Sequence, residues 1–277
     1  MKIIETAREM HAERRRLGDS VGCVPTMGAL HEGHLSLARR ARPENDVVVA
    51  TIFVNPKQFG PNEDFAAYPR NYQHDLDLFE REKVDMVFMP TVDEIYPAGF
   101  DTYVTVGDLT KRLEGASRPG HFVGVATVVA KLFNLVQPTR AYFGEKDAQQ
   151  LRVISKMVKD LAFDLEIVPC PTVREPDGLA MSSRNAYLDP EQRRAATVLF
   201  RSLSLAKQKF AGGERDAEKL RRAMLDLINA EPLATIDYVS IADSDTLEEL
   251  SEISGTALAS MAVRIGKTRL IDNMVLR

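Results

Sequence analysis

Val24-Pro25-Thr26-Met27-Gly28-Ala29-Leu30-His31-Glu32-Gly33-His34 leaves an apolar run, Val21 to Pro25, turns at Gly28 and enters a helical pattern at about Gly33. A strand, a glycine turn and a helix in that order open a unit whose helix crosses back to start a parallel neighbour. Further apolar runs repeat the theme: Asp46 to Val54, Asp85 to Pro90, Arg140 to Gly144 and Leu165 to Pro171. Most are rich in Val, Ile or Phe, as strands buried on both faces are. Helical spacing fills the connections over His34 to Ala41, Tyr72 to Lys83, Val123 to Val136 and Ala148 to Leu161. The alternation predicts a parallel sheet covered by helices.

Between Thr91 and Gly120 the pattern breaks into turn-rich pieces, and the alternating Asp101-Thr102-Tyr103-Val104-Thr105-Val106 predicts a small hairpin there. Beyond Arg174-Glu175-Pro176-Asp177-Gly178 two polar amphipathic helices, Pro190 to Phe210 and Glu214 to Ala230, precede strands near Ile236 to Ala242, Leu258 to Ile265 and Arg269 to Val275. The expected fold is α/β: a Rossmann-like doubly wound parallel sheet over residues 1–174, with a smaller C-terminal α+β domain over 175–277.

Composition narrows the function classes. The 277 residues carry 36 Lys and Arg against 40 Asp and Glu, a formal charge of −4, so nothing attracts nucleic acid or an anionic membrane in general. Glu5 and Glu9 interrupt the N-terminus before any apolar run of signal-peptide length, and no later run is apolar enough to span a bilayer; a cytoplasmic location is expected. Cys23 and Cys170 each sit inside an apolar run, which predicts buried thiols rather than a disulfide framework or a metal site.

Three segments carry candidate chemistry. At the first strand exit, backbone N–H groups and the positive end of the following helix point where phosphate binds. His31 and His34, three apart, project from nearly one side of the helix entry, where imidazoles donate to phosphate oxygens. A zinc pair wants spacing four on an established helix, so metal ligation is disfavoured. Spacing alone leaves open that both are ordinary polar residues at a helix start; the strand before and helix after favour function. Tyr142-Phe143-Gly144-Glu145-Lys146-Asp147 occupies another strand exit, with Gly144 permitting close backbone approach and Lys146 offering a point charge. Gly178-Leu179-Ala180-Met181-Ser182-Ser183-Arg184-Asn185 places two hydroxyls and a guanidinium on a loop. Singly, the lysine reads as a solvated ion-pair partner and the serine run as a turn.

Together and in this order they resemble the nucleotidylyltransferase superfamily, with its His-x-Gly-His motif and later Ser/Lys/Arg phosphate loop. Pro25 to His34, Phe53-Val54-Asn55-Pro56-Lys57-Gln58-Phe59-Gly60, Tyr68-Pro69-Arg70, Arg118-Pro119-Gly120-His121-Phe122, Gly144-Glu145-Lys146-Asp147 and Met181 to Asn185 resemble, more closely, the pantothenate synthetase family, as far as about Asp189. That resemblance implies ATP-dependent condensation of pantoate with β-alanine through a pantoyl adenylate, on the route to coenzyme A, by a homodimer with Mg2+ and with the C-terminal domain closing over the site. It implies ATP contacts from Met27, Gly28, Ala29, Leu30, His31, Glu32, Gly33, His34, Gly144, Glu145, Lys146, Asp147, Val173, Met181, Ser182, Ser183 and Arg184. His34, His31 and Lys146 would be catalytic, His34 as proton donor. Gln58 and Gln150 would hold pantoate, Gln58 also lying near β-alanine, and Arg118 and His121 would lie beside the site.

Adenylation needs positive charge and donors around the phosphates more than a protein nucleophile, and these groups supply them. After Tyr68-Pro69-Arg70 the family often shows two adjacent acids associated with magnesium, and here the pair reads His74-Asp75. No protein metal ligand is therefore expected, the ion being held largely by the nucleotide. Turn-rich Pro61-Asn62-Glu63-Asp64-Phe65 is a candidate lid. The competing readings are a nucleotidylyltransferase that leaves its nucleotide on the product, a synthetase fragment acting on tRNA, which would want a basic surface, and a non-catalytic nucleotide sensor.

Overall fold

The computed structural model describes every residue from Met1 to Arg277 except Asp19 and Asn62. The chain divides into two compact units: Met1–Thr110 with Arg118–Glu145 and Gln150–Pro171, and Lys111–Ser117 with Lys146–Gln149 and Thr172–Arg277.

The first unit is built on six parallel strands, β1 (Lys2–Ile4), β2 (Val21–Thr26), β3 (Val47–Ile52), β4 (Met86–Phe88), β5 (Arg140–Gly144) and β6 (Glu166–Cys170), in the order β1-β4-β3-β2-β5-β6. Alternate residues feed two cores. Cys23, Val49, Phe88 and Phe143 pack with Met10, Phe133 and Ile154 from helices Ala7–Arg14, His121–Val136 and Ala148–Asp160. Val24, Val48, Ala50 and Tyr142 pack on the opposite face with Leu35, Ala38 and Phe79 from helices Glu32–Ala41 and Tyr72–Arg81. The sheet is doubly wound, as expected. Both cysteines are buried and unbridged, and burial pushes Cys23 up to about 12 and Cys170 up to about 11.

The strand order reverses between β2 and β5, and there the ladder lapses. Only Gly22↔Arg140 and Cys23↔Ala141 pair, whereas β2 pairs with β3 from Val21 through Thr26. Val21 O accepts from Thr139 N and Thr26 O from Phe53 N, so by alternation Pro25 faces β5, where it has no N–H to give. The strands part toward their carboxyl ends, leaving the crevice in which such sheets bind ligands.

The second unit has an antiparallel sheet, β7 (Ala234–Asp243), β8 (Ala257–Ile265) and β9 (Thr268–Leu276), in that order. Helices Val198–Ala211 and Ala217–Asn229 cover one face, burying Leu199, Leu203, Leu220 and Met224 against Ala259, Met261 and Val263. Segment 111–117 belongs to this unit through Glu114, which takes a bidentate pair from Arg269 at 2.7 and 2.8 Å.

Two expectations are corrected, and two elements are added. No hairpin forms over residues 101–106: Val104 N donates to Thr127 Oγ1 of helix His121–Val136 at 3.0 Å, so the alternation is satisfied by packing on a helix. The helix expected from Pro190 to Phe210 is two, Pro190–Ala195 and Val198–Ala211, because bonds from Thr197 to Arg194 and from Leu199 to Ala196 tighten the chain between them. At the N-terminus the chain adds an unforeseen strand, β1, parallel to β4 at Lys2↔Met86, and an unforeseen helix, Ala7–Arg14.

Candidate active site

Helix Glu32–Ala41 begins in an uncommon way, because both candidate histidines cap it. His31 is the N-cap, in extended conformation, and its Nδ1 accepts from Gly33 N at 3.1 Å; His34 Nδ1 accepts in turn from His31 N at 3.3 Å. The pair reproduces a capping box with imidazoles in place of hydroxyl and carboxylate. A backbone N–H can only donate, so each Nδ1 is unprotonated and each neutral ring carries its proton on Nε2. The rings lie with centroids 4.1 Å apart, tilted by 37°. Two Nε2–H donors thus stand side by side at a helix N-terminus beside the parted strands.

The turn before them needs two left-handed residues, Gly28 at φ +81° and Ala29 at φ +50°. Asp75, 1 % exposed on helix Tyr72–Arg81, holds it: Oδ2 accepts from Ala29 N at 2.9 Å and Oδ1 from Leu30 N at 2.8 Å. A Cβ on Gly28 would lie 2.9 Å from Asp75 Oδ2, so glycine is required. Burial raises the Asp75 carboxyl above its ordinary value against these two bonds, which lower it. The acid of the His74-Asp75 pair is thus a clamp on the turn that leads into the helix. Glu32 departs from its neighbours: its carboxylate pairs with Arg39, whose hydrogen bonds lower its pKa, and only its backbone belongs to the loop.

Gln58 closes a one-turn helix, Pro56–Gln58, capped by Asn55, whose Oδ1 accepts from Lys57 N at 3.2 Å. Asn55 Nδ2 donates to Gln58 Oε1 at 2.9 Å and to Gly124 O at 3.1 Å. The Gln58 carbonyl accepts from Arg118 Nη2 at 3.1 Å and from His121 Nδ1 at 2.8 Å. A carbonyl cannot donate, so His121 carries its proton on Nδ1, opposite to His31 and His34. Arg118 also grips Glu63 through both carboxylate oxygens, at 2.7 and 2.6 Å. Arg118 and His121 thus orient the Gln58 turn, and the candidate lid is tied at Glu63, Asn62 lying outside the described residues. Gly144 ends β5 and half-buried Gln150 lies on helix Ala148–Asp160 in the same unit; Glu145 is exposed.

The remaining candidates belong to the second unit. Lys146 Nζ lies 3.2 Å from Asp147 Oδ1, and Lys146 O accepts from Asn273 Nδ2 at 2.7 Å. Next to Asn273, buried Asp272 receives both Nη atoms of Arg174, at 2.7 and 3.0 Å, and Arg174 Nη2 also reaches Asn273 O. Arg174 anchors the base of the serine loop through a bridge to Ala180, and Met181 N donates to Val173 O at 3.0 Å. Ser182 caps the short helix Ser183–Tyr187 by accepting from Arg184 N. The dipeptide Asp272-Asn273 therefore fixes two candidate phosphate segments at once. Sequence reasoning assigned no role to Asn55, Asp75 or this dipeptide; the cues on offer were the Asn-Pro turn signal at 55–56 and the acid in the His74-Asp75 pair. Among the described residues no group of three or more His, Cys, Asp or Glu is placed to hold a metal ion.

The sequence model of the family described as pantoate-beta-alanine ligase matches residues 1–275. The pantothenate synthetase of Roseiflexus sp. (strain RS-1) is 62 % identical over 276 residues, spanning 100 % of this chain and 99 % of that protein. That of Herpetosiphon aurantiacus is 59 % identical over 277 residues, 100 % of each. Among solved structures, the pantothenate synthetase of Thermus thermophilus matches with a TM-score of 0.95 at 51 % identity, covering 99 % of both chains. The pantoate-beta-alanine ligase of Francisella tularensis, solved in complex with "Beta-gamma ATP" and beta-alanine, matches at 0.82 and 36 % identity over 99 % of this chain and 97 % of that one.

Proposed function

The chain belongs to the pantoate-beta-alanine ligase family and joins pantoate to β-alanine with ATP; we propose that it does so in two steps, through a pantoyl adenylate. In the first, a pantoate carboxylate oxygen bonds to the α-phosphorus and the bond to pyrophosphate breaks. In the second, the β-alanine nitrogen bonds to the adenylate carbonyl carbon, the bond to AMP breaks and the nitrogen loses a proton.

The observation that carries this reading is the imidazole pair. With Nδ1 of His31 and His34 committed to backbone N–H groups, their Nε2–H groups are preorganised donors for the charge that grows on phosphate oxygens as pyrophosphate departs. His34 is assigned as the donor to the leaving group and His31 as its support, with backbone N–H groups of Met27 to Gly33 completing that contact. Lys146 is assigned as a catalytic phosphate ligand, with Gly144, Glu145, Asp147, Val173, Met181, Ser182, Ser183 and Arg184 as further nucleotide contacts. Because Gln58 Oε1 is taken by Asn55, its Nε2 is the group offered to substrate, which suits the hydroxyl and carboxylate oxygens of pantoate. Gln150 is assigned to the same substrate, and Gln58 also to β-alanine.

Asp75 gives both oxygens to backbone N–H groups of the loop. We assign Mg2+ to the nucleotide's own phosphates. A homodimer, a cytoplasmic location and the division of labour at 174/175 complete the reading.

The test is a pyrophosphate-release assay with ATP, magnesium and pantoate, run with and without β-alanine. One pyrophosphate per active site without β-alanine, and AMP with continuous turnover once it is added, is the expected result. AMP left attached to the final product, or no pyrophosphate until β-alanine is present, would overturn the two-step scheme.

A further inference from the structure

We infer that Tyr96 is a positioning residue for pantoate, acting through Asn55 to fix which face of the Gln58 amide meets the substrate; this rests on the assignment of Gln58 made above. The chain of contacts is settled by groups that have no choice. Lys57 N can only donate and Gly124 O can only accept, so Asn55 is fixed with Oδ1 toward the first and Nδ2 toward the second. The Gln58 atom facing Asn55 Nδ2 must then accept, which makes it Oε1 and turns Nε2 away as the donor.

Tyr96 OH is the second donor to Asn55 Oδ1, at 2.8 Å, shorter than the 3.2 Å contact from Lys57 N. Asn55 is fully buried and Tyr96 is 9 % exposed, so no solvent replaces that bond when it is lost. The same ring holds the residue beside Gln58. Lys57 Nζ lies 5.0 Å from the Tyr96 centroid and 4.9 Å from that of Tyr103, whose hydroxyl it also meets at 3.0 Å. Phe53 and Phe100 fix the ring in turn, with centroids 6.2 and 5.0 Å away. Tyr96 thus grips the 55–58 turn at two points, by its hydroxyl at Asn55 and by its face at Lys57.

Tyr96→Phe removes the hydroxyl and keeps the ring, so the fold and the lysine contact persist. The expected result is a rise in KM for pantoate of roughly 3- to 30-fold, with KM for ATP within about twofold of wild type and an unchanged melting temperature to within about 3 °C. In a Gln58→Ala background, which should itself raise KM for pantoate, Tyr96→Phe should add less than about 1.5-fold, because the group it orients is gone. An unchanged pantoate KM in Tyr96→Phe, equal shifts for pantoate and ATP, or an undiminished effect in the double variant would overturn the inference. If Gln58→Ala alone left pantoate KM untouched, the Gln58 assignment would fail and take the inference with it, a result distinct from failure of Tyr96 alone.

Discussion

Replacing Asp75 by alanine should loosen the loop that carries the candidate histidines. The carboxylate accepts from two backbone N–H groups at 2.9 and 2.8 Å, and it is 1 % exposed, so alanine leaves both donors in a dry site. Each such orphan costs about 1–3 kcal/mol. Relief of the buried charge offsets part of this, and the raised pKa of Asp75 shows that burial outweighs the two bonds. A net loss of roughly 2–4 kcal/mol remains, which for a chain of this size lowers the melting temperature by roughly 4–16 °C. Turnover should fall further than stability, by up to about 10²-fold, because the loop aims the histidines assigned to phosphate. Asp75→Asn keeps one acceptor and should lie between. The raised pKa also sets a pH trend: the group's titration-linked stability is fully present below its ordinary 3.8 and is lost as pH rises through the folded-state value. The lead of wild type over Asp75→Asn should therefore narrow from acid toward neutral pH. Thermal melts across pH, paired with pyrophosphate release, measure all of this, and an Asp75→Ala protein with wild-type melting and turnover would refute the clamp.

Lys146→Ala should lower the rate of pyrophosphate release about 10²- to 10³-fold while the protein stays folded, as loss of one stabilising donor does; single-turnover kinetics with retained melting behaviour checks it. Gly178→Ala should destabilise the second unit, because φ is +93° there and a Cβ would lie 2.0 Å from the Phe200 ring. Shortening the neighbour with Phe200→Leu should recover part of the loss in a denaturation curve, and no recovery would place the strain in the backbone alone. At Glu63, burial works to raise the carboxyl, but the hydrogen bonds and charge of Arg118 outweigh it and hold the group below its ordinary 4.5. Its stabilisation is present above pH 4.5 and lost as pH falls through the lower folded value, so the melting temperatures of wild type and Glu63→Gln should converge in acid and separate at neutral pH.

Apolar runs were legible in the sequence: β2, β3 and β5, largely buried, and the edge strand β6 fall within two residues of their apolar stretches. Short elements were not. Lys2–Ile4 has three residues and becomes a strand only because β4 offers an edge 84 residues later, and helix Ala7–Arg14 buries little beyond Met10. The alternation at 101–106 pointed to a hairpin because pattern reading has no means of seeing that a helix threonine, Thr127, takes the place of a partner strand. At the candidate site the motifs located residues and missed their wiring. That His31 and His34 present Nε2 while His121 donates from Nδ1 follows from which backbone group each ring meets, and no spacing encodes it. Asp75 was legible as the remaining member of an acidic pair, and its work as a loop clamp was not.

The bond from Asn273 to the Lys146 carbonyl joins residues 127 positions apart. During synthesis at about 5–20 residues per second, Lys146 leaves the ribosome some 6–25 s before its anchor exists. The nascent chain can thus complete β5 and its neighbours while the lysine backbone stays untethered, and the serine loop waits on the same dipeptide through Arg174 and Asp272. Catalytic competence should therefore arrive late and abruptly, with the arrival of β9, rather than growing as the chain lengthens.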